Sequence, residues 1–306
     1  MDEFSFIQWI RNGQKKDRNV VIGIGDDCAS LRVSGKKLHL ITTDMLVDGT
    51  HFEQKKNKPK DIGRKAIACS ISDIAAMGCF ARYAVISICF PRKIETRFAK
   101  ELFRGMKEKA DEYNIKIVGG DIVSGKKVLV INVAMIGEND GLRPVARSGA
   151  RTGDAIMVTG TLGGSILRKH IAFKPRLKEG LILNKKFNIS SMIDISDGLA
   201  ADLNHILEES KVGAILYEDK IPVSNDAKRL ARKTGFTSHH HALHDGEDYE
   251  LLFTLSDKES KKLSASNILP IQVTKIGRIK KAGGIYIQDS NGKQRKINPI
   301  GYEHFR

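Results

Sequence analysis

The sequence predicts an α/β (α+β) protein made of two domains. Its 306 residues are about twice the usual length of a single domain. Hydrophobic residues make up 41% of the chain, which is enough apolar material for a sizeable core. Strand-like and helix-like segments are mixed in both halves. Glycine and proline crowd together at 141–153, so we expect domains over residues 1–142 and 143–306.

Apolar spacing and turn residues predict the elements of the first half. Phe4, Ile7 and Ile10 recur at helical spacing, and Pro91 stops a later apolar run. In order, we expect a helix over 3–12, two strands within 30–44 around a turn at 34–37, a helix from 61 to near 78, a strand over 83–90, a helix over 95–113, and strands over 115–118 and 128–136.

The second half of the chain also mixes predicted strands and helices. We expect strands over 155–159 and at 192–193, a helix over 197–210, and strands over 249–255, 272–276 and 284–287. A histidine-rich segment, His239-His240-His241 with His244, could be a metal tract. Its polar flanks favour a surface loop instead.

Composition excludes several classes of protein. Lysine and arginine exceed acidic residues by 51 to 36, a net charge of +15, which could attract nucleic acid. The lysines are scattered and aromatic residues are only 6%, so solvated lysines are favoured and no nucleic-acid partner is expected.

Apolar runs fall short of the roughly 18 residues that span a membrane. The four cysteines form no C-x-x-C pair, and with no secretory pattern at the N-terminus they indicate a reducing cytoplasm.

Acidic residues gather at predicted strand ends and loops. Each cluster alone has an ordinary interpretation, because aspartate beside glycine is common turn chemistry and can cap a helix. Together they form a repeated pattern of candidate ligands: Asp26-Asp27, Thr42-Thr43-Asp44, Gly119-Gly120-Asp121 and Asp194-Ile195-Ser196-Asp197.

Asp73 stands out among the acidic residues. In the predicted helix 61–78 it shares one stripe with Ala66, Ser70 and Met77. A carboxylate on such a small, apolar face must be paired, protonated or bound to a metal. A partner elsewhere in the chain, such as an arginine or a helix N-terminus, remains the alternative.

Converging carboxylates require cations. Two unit charges about 4 Å apart repel by about 4 kcal/mol at an effective dielectric of 20. Carboxylate and hydroxyl oxygens suit Mg²⁺ better than zinc, and such ions commonly keep positions for phosphate oxygens. The acidic set therefore predicts several Mg²⁺ ions and chemistry on a phosphorylated substrate.

A glycine-rich segment imitates a phosphate-binding loop. Residues 120–127 fit G-x-x-x-x-G-K, but Lys127 stands where a P-loop has serine or threonine. The following residues predict a strand rather than the required helix. We therefore expect no P-loop here.

Taken together, these motifs resemble those of the thiamine-monophosphate kinase family, within the superfamily of aminoimidazole ribonucleotide synthetase. The likeness extends over essentially the whole chain, from residue 4 to 305, and the segments at 72–78 and 246–251 are its most specific parts. The segments are Gly25-Asp26-Asp27, Thr42-Thr43-Asp44, Ser72-Asp73-Ile74-Ala75-Ala76-Met77-Gly78, Gly119-Gly120-Asp121, Arg147-Ser148-Gly149-Ala150, Asp194-Ile195-Ser196-Asp197-Gly198 and Gly246-Glu247-Asp248-Tyr249-Glu250-Leu251.

The resemblance implies a two-domain fold that dimerises through strands of the N-terminal domain, with ATP between that domain and the C-terminal one. It implies three groups of site residues. The magnesium ligands would be Asp27, Thr42, Thr43, Asp44, Asp73, Asp121, Asp194 and Asp197, of which Asp44, Asp73, Asp121 and Asp194 are also expected to be catalytic. The ATP contacts would be Tyr113, Gly120, Asp121, Arg147 and Ser196, and the substrate contacts His51, Glu247 and Tyr302.

Some of these residues have simpler interpretations. His51 could be an ordinary loop histidine, and Tyr113 and Tyr302 could be packing aromatics. The implied reaction is direct in-line transfer of the γ-phosphoryl group of ATP to thiamine monophosphate, without a phosphoenzyme. The alternative is another ATP-using enzyme of the same superfamily that acts on a different acceptor.

Overall fold

The structure is a computed structural model that describes residues 3–281 and 283–304. Its helices are α1 (Glu3–Gly13), α2 (Pro59–Ala76), α3 (Thr96–Glu112), α4 (Lys169–Ala172), α5 (Leu177–Lys186), α6 (Leu199–Ser210), α7 (Asn225–Thr234), α8 (Ser238–His244) and α9 (Asp257–Ala265). Its strands are β1 (Val20–Ile22), β2 (Ala29–Ser34), β3 (Lys37–Val47), β4 (Phe80–Pro91), β5 (Lys116–Gly125), β6 (Val130–Glu138), β7 (Ala155–Thr159), β8 (Ile189–Asp194), β9 (Gly213–Tyr217), β10 (Leu251–Leu255), β11 (Val273–Lys280), β12 (Gly284–Gln288) and β13 (Gln294–Ile297).

Two mixed sheets define the two domains. The first sheet has the order β1-β2-β3-β6-β4-β5, and the second has the order β13-β12-β9-β11-β7-β10-β8. Most neighbours are antiparallel, whereas β4 with β5 and β12 with β9 are parallel. The two-domain α/β prediction is confirmed. The segment 139–154 joins the sheets, and the division at residue 142 stays a prediction.

Helix α2 is the element that joins the domains. It packs on β3, β4 and β6 of the first sheet and also contacts α4, α5 and β8 of the second domain. One apolar cluster runs through this junction, with Ile67, Ile71 and Ile74 of α2 beside Leu183 and Phe253. From Lys65 to Ala76 every residue of α2 except Asp73 is buried, so this part of the helix has no polar face toward water. Its polar side chains must therefore find partners inside the protein.

Two predicted segments differ in the structure, which also contains elements that the sequence analysis does not predict: α4, α5, α7, α9, β1, β9 and β13. Strand β5 continues past the two glycines to Gly125, because its residues stay paired with β4 up to Pro91; pairing outweighs the low strand propensity of glycine. The histidine-rich segment is helix α8, not a loop. Thr237 caps it by accepting a hydrogen bond from the His240 amide, and Ala242 and Leu243 are buried.

The glycine-rich segment at 120–127 does not form a P-loop, as the sequence predicts. The glycine-rich residues belong to β5, and β6 follows where a P-loop would need a helix. Across the described ranges, no helix has both the length and the apolar character required to cross a bilayer.

Candidate active site

Buried carboxylates from both domains meet around α2. Asp27 lies in the loop before β2, Asp73 lies on α2, and Asp194 ends β8. Carboxylate oxygens of these three residues lie within 4.8 Å of one another. Asp27 and Asp194 are both buried. The sequence places these residues 46 and 121 positions apart in the chain, from 27 to 73 and from 73 to 194, so only the fold brings them together.

Hydroxyl groups satisfy part of this acidic cluster. Thr42 donates a hydrogen bond to Asp73, and Ser72 donates to Asp194 Oδ2 at 2.5 Å. Ser70, one turn before Asp73 on α2, donates to Oδ2 of Asp44 at 2.5 Å. Each donor supplies one hydrogen bond to a carboxylate that can accept several. Oxygen capacity therefore remains for a ligand.

The strand pleat separates the adjacent threonines of β3. Alternate residues of a strand point to opposite faces, so Thr42 is buried toward α2 while Thr43 is exposed on the outer face. There the Asn132 side chain donates a hydrogen bond to Thr43 Oγ1 at 2.9 Å. Within the described chain Thr43 thus does not join the acidic cluster.

Burial and mutual repulsion raise the pKa values of the cluster. Burial raises the pKa of Asp194 to about 7, with a further contribution from the charge of Asp27. Burial also raises the pKa of Asp44 to about 6. The pKa of Asp73 is raised well above its usual value, first by burial and then by Asp44, Asp194 and Asp27. Without a cation the cluster would hold protons near neutral pH.

Arg147 offsets one end of the cluster. Its guanidinium contacts Asp27 Oδ1 through Nη2 at 2.6 Å, and its backbone amide donates to Asp26 Oδ2 at 3.1 Å. Burial followed by the charge of Asp27 raises the pKa of Asp26 to about 7. Among the described residues, the buried Oδ2 atom of Asp27 has no hydrogen-bond partner. An orphaned, buried carboxylate oxygen beside two further carboxylates fits a divalent cation.

A cleft of about 390 Å³ opens beside the acidic cluster at the junction of the domains. It brings together six of the predicted site residues, Asp44, His51, Ser196, Asp197, Glu247 and Tyr302. Apolar side chains, including Met45, Leu46 and Ile166, line another part of the same cleft. The cleft therefore offers both charged groups and an apolar wall, as small-molecule sites generally do.

His51 is held as a neutral imidazole. Its Nδ1 atom accepts a hydrogen bond from the Val47 amide at 3.1 Å, which leaves the proton on Nε2. Burial and then the charge of Lys65 lower its pKa. The His51 ring lies 5.3 Å from that of His304, which in turn lies 4.9 Å from the Tyr302 ring. Three rings thus form an aromatic wall of the cleft.

Four of the predicted site residues lie outside both the acidic cluster and the cleft. Asp121 is exposed on β5 and pairs with Ser87 of β4, in a row that continues through Asn132 to Met45. Three strand spacings of about 4.8 Å separate it from Met45. Gly120 lies beside it on the same strand, and Thr43 points outward as described above. Tyr113 follows α3, and its hydroxyl donates to the Pro175 carbonyl at 3.1 Å.

Sequence reasoning missed two features of the site. Lys65 is almost completely buried on α2 and donates to Glu247 Oε1 at 2.5 Å. It could have been found by the argument used for Asp73, because it too lies within a helical segment of small and apolar residues. Asp202 and His205 were also missed, and their ligand atoms lie within 4.8 Å of each other and of Asp197.

Comparisons with known proteins agree with this architecture. The AIR synthase related protein family matches in two parts, its N-terminal domain over residues 25–139 and its C-terminal domain over residues 151–290. Thiamine-monophosphate kinase of Rhodopirellula baltica is 33% identical over 309 residues, covering 99% of this chain and 97% of that protein. Thiamine-monophosphate kinase of Bacillus subtilis is 32% identical over 330 residues and covers 100% of both chains.

Solved structures give the same result. AaThiL complexed with AMPPCP and TMP superposes with a TM-score of 0.86 at 32% identity, covering 99% of this chain and 97% of that one. The hydrogenase maturation protein HypE of E. coli superposes with a TM-score of 0.73 at 19% identity, covering 86% of this chain and 87% of that one. The second likeness concerns the fold alone.

We expect the raised pKa of Asp194 to destabilise the metal-free protein as pH rises. Because the folded pKa of about 7 lies above the unfolded value, the native state binds an extra proton between about pH 4 and 7. Stability should therefore fall as pH increases through that range. Asp194→Asn removes the charge and should raise the free energy of unfolding at pH 8 by on the order of 2 kcal/mol. Urea denaturation with a metal chelator at pH 5 and pH 8 measures this.

Asp154→Asn is the matched control, because Asp154 is also a buried aspartate but lies outside the acidic cluster. It leaves Asp194 in place, so the loss of stability between pH 5 and pH 8 should persist in this variant. Equal pH dependence in wild type and Asp194→Asn would contradict the expected coupling.

Proposed function

Because the chain belongs to the thiamine-monophosphate kinase family of AIR synthase related proteins, we propose that it phosphorylates thiamine monophosphate with ATP to give thiamine diphosphate. The observation that carries the proposal is the convergence of buried carboxylates from both domains beside a cleft with charged and aromatic walls. The similar protein AaThiL has been solved complexed with AMPPCP and TMP, which supports both substrates.

We further propose that the acidic cluster holds Mg²⁺. The orphaned oxygen of Asp27 and the all-oxygen donor set of Asp73, Asp194, Asp44 and Thr42 fit a hard divalent cation. Asp197, at the edge of the cleft, is a further candidate ligand. When bound, the metal would supply positive charge between the donor and acceptor phosphates.

The acceptor needs little activation by the protein. A phosphate oxygen of thiamine monophosphate is already ionised near neutral pH, so no strong general base is required. The task of the chain is to orient the two phosphates in line and to exclude competing water. No residue needs to carry the phosphoryl group, which supports direct transfer.

The cleft residues suit the two ends of the substrate. His51 presents its Nε2–H as a neutral donor, which suits a phosphate oxygen. The carboxylate of Glu247 suits the positively charged thiazolium ring, and the aromatic wall of Tyr302 and His304 suits a flat cation. Arg147 and Ser196 remain our candidates for the ATP side, since the guanidinium of Arg147 has donors beyond those used on Asp27.

We also propose that two copies associate through the outer face of the first sheet. That face carries exposed apolar side chains, among them Ile41, Met45, Tyr83 and Val85, opposite the face on which α2 packs. Such exposure is unusual for a protein that stays monomeric. Asp121 and Gly120 lie on β5, the edge strand of the same sheet, so their predicted roles as metal and ATP contacts depend on what meets this part of the sheet.

We propose a cytoplasmic location from the state of the cysteines. The four cysteines are free thiols, and three of them are buried. Free thiols are the usual state in a reducing compartment.

The proposed reaction predicts ADP release only when thiamine monophosphate is present. A coupled assay should compare thiamine monophosphate, thiamine and no acceptor, each with ATP and Mg²⁺. Thiamine lacks the acceptor phosphate, so we expect turnover with the monophosphate alone. Turnover with neither thiamine compound, or with thiamine in preference, would favour the alternative of another acceptor within the superfamily.

We expect Asp44→Asn to reduce kcat by about a hundredfold or more, because it removes one negative ligand while keeping the size of the side chain. Steady-state kinetics across a Mg²⁺ titration measures the effect, and circular dichroism checks that the fold is kept. The buried Asp154→Asn variant is the control and should retain activity. Wild-type rates in Asp44→Asn would show that Asp44 is not a metal ligand.

The proposed association predicts that Val85→Lys gives a monomer, since a charge at the centre of the outer face must be desolvated on association. Light scattering after size-exclusion chromatography measures the molar mass. Ile268→Lys, an equally drastic change at an exposed apolar position of the second domain, should leave the mass unchanged. A monomeric wild-type protein at micromolar concentration would refute the association.

A further inference from the structure

Lys65 lies at the point where the two domains meet beneath the cleft. Its side chain has 0% exposure, whereas that of its partner Glu247 has 26%. The ammonium group therefore has no contact with water or with a ligand in the cleft. A buried ammonium is tolerated only when charged and polar partners surround it. Its partners consequently reveal what the lysine does.

The ammonium of Lys65 bridges two predicted substrate contacts. Nζ donates to the backbone carbonyl of His51 at 2.6 Å and to Glu247 Oε1 at 2.5 Å. His51 belongs to the first domain and Glu247 to the second. One side chain thus ties together the residues proposed for the phosphate end and for the cationic end of the same substrate.

Glu247 is held in an unusual conformation around this contact. Its backbone has φ 61°, in the left-handed region that non-glycine residues rarely adopt. Its amide donates to the Ser196 carbonyl at 2.6 Å, and its Oε1 atom also accepts from the Tyr249 hydroxyl at 3.5 Å. Among the described residues, the Lys65 ammonium and the Tyr249 hydroxyl both donate to Oε1, which leaves Oε2 for a ligand.

Tyr249 itself is fixed from both sides. Its ring stacks on Phe173 with centroids 3.7 Å apart and an interplanar angle of 10°. Its hydroxyl lies 3.2 Å from Cys69 Sγ, four residues after Lys65 on α2. The packing around Oε1 is therefore rigid, and the charged component of it is Lys65.

We propose that Lys65 is a positioning residue for the substrate site: its buried ammonium fixes the Glu247 carboxylate and the His51 loop in the arrangement that binds the two ends of thiamine monophosphate. The inference rests on the proposed function and deepens it. Lys65 acts through Glu247 and His51 and does not touch the substrate. It follows that the lysine sets the affinity for the acceptor and leaves the affinity for ATP to other groups.

Lys65→Met tests the proposal, because methionine fills similar space without a charge. We expect the KM for thiamine monophosphate to rise by about tenfold or more, as preorganisation is lost, while the KM for ATP stays within about twofold. Lys65→Arg, which keeps the charge, should recover part of the lost affinity. Steady-state kinetics with each substrate varied in turn gives both constants.

Lys109→Met is the matched control. Lys109 is also a buried lysine, with 3% side-chain exposure, and pairs with Glu112 at 2.8 Å. It belongs to α3 and contacts none of the cleft residues named above. Its replacement should lower thermal stability comparably and leave the KM for thiamine monophosphate unchanged. A general loss of stability is thereby separated from a specific loss of positioning.

The double variant Lys65→Met with Glu247→Gln asks whether the lysine acts through the glutamate. If it does, the double variant should raise the KM by clearly less than the product of the two single effects, with the remaining effect of Lys65→Met passing through the His51 loop. Multiplied effects would refute positioning through Glu247. Because the double variant neutralises both members of the pair, it also serves if Lys65→Met alone does not fold.

The outcomes separate the two proposals. Absence of phosphorylation of thiamine monophosphate by the wild-type protein overturns the proposed function itself. Normal wild-type activity with an unchanged acceptor KM in folded Lys65→Met overturns only the inference about Lys65. A rise in the KM for ATP equal to that for the acceptor would likewise overturn it, since that pattern indicates general distortion of the site.

Discussion

The crowding of carboxylates around the buried part of α2, from Lys65 to Ala76, is the constraint on which the structure depends. Asp27, Asp73 and Asp194 bring acidic oxygens within 4.8 Å of one another inside the protein. At about 4 Å and an effective dielectric of 20, each pair of full charges would repel by about 4 kcal/mol. Hydroxyl donors and Arg147 relieve part of this repulsion. The remainder is what the proposed cation would offset.

The same junction holds the acidic cluster and the ion pair of Lys65 with Glu247 apart. Ser70 and Ser72 of α2 donate to Asp44 and Asp194, while Lys65, nearer the start of the same helix, supplies a positive charge behind Glu247. Both groups belong to one helix and are about two turns apart. A substrate with phosphate at one end and a cation at the other would meet each end of this arrangement in turn. Domain packing therefore sets the distance between the acidic cluster and Glu247.

Sequence reasoning could find the elements and the acidic set because both leave local patterns. Asp73 is detectable as a carboxylate on an apolar helical stripe. Most strands follow from apolar spacing, whereas of the helices only α1, α2, α3 and α6 do. Which face a residue takes was harder. Thr42 and Thr43 are equivalent in composition, yet the pleat buries one and exposes the other. Asp121 and Gly120 lie on the edge strand β5 of the first sheet. Local sequence patterns do not indicate what contacts the outer face of that sheet, so they do not test the predicted metal and ATP roles of these two residues. Lys65 carries the same helical signal as Asp73, but a lysine in a helix is usually exposed to solvent, and here it is buried.

Close packing explains how α2 can hold several charged groups without shifting. Helix α3 approaches it so closely at Gly105 that an added Cβ atom would lie 1.9 Å from the Lys60 carbonyl oxygen. At the other end of α2, Gly180 of α5 leaves room for the Ala75 carbonyl, which would lie 2.3 Å from a Cβ atom there. Lys65 and Asp73 both lie between these two contacts. A helix clamped at each end by backbone-to-backbone approach cannot rotate to relieve repulsion among its partners. The crowding of carboxylates is therefore retained in the folded protein, where bound protons offset it near neutral pH and where the proposed cation would replace them.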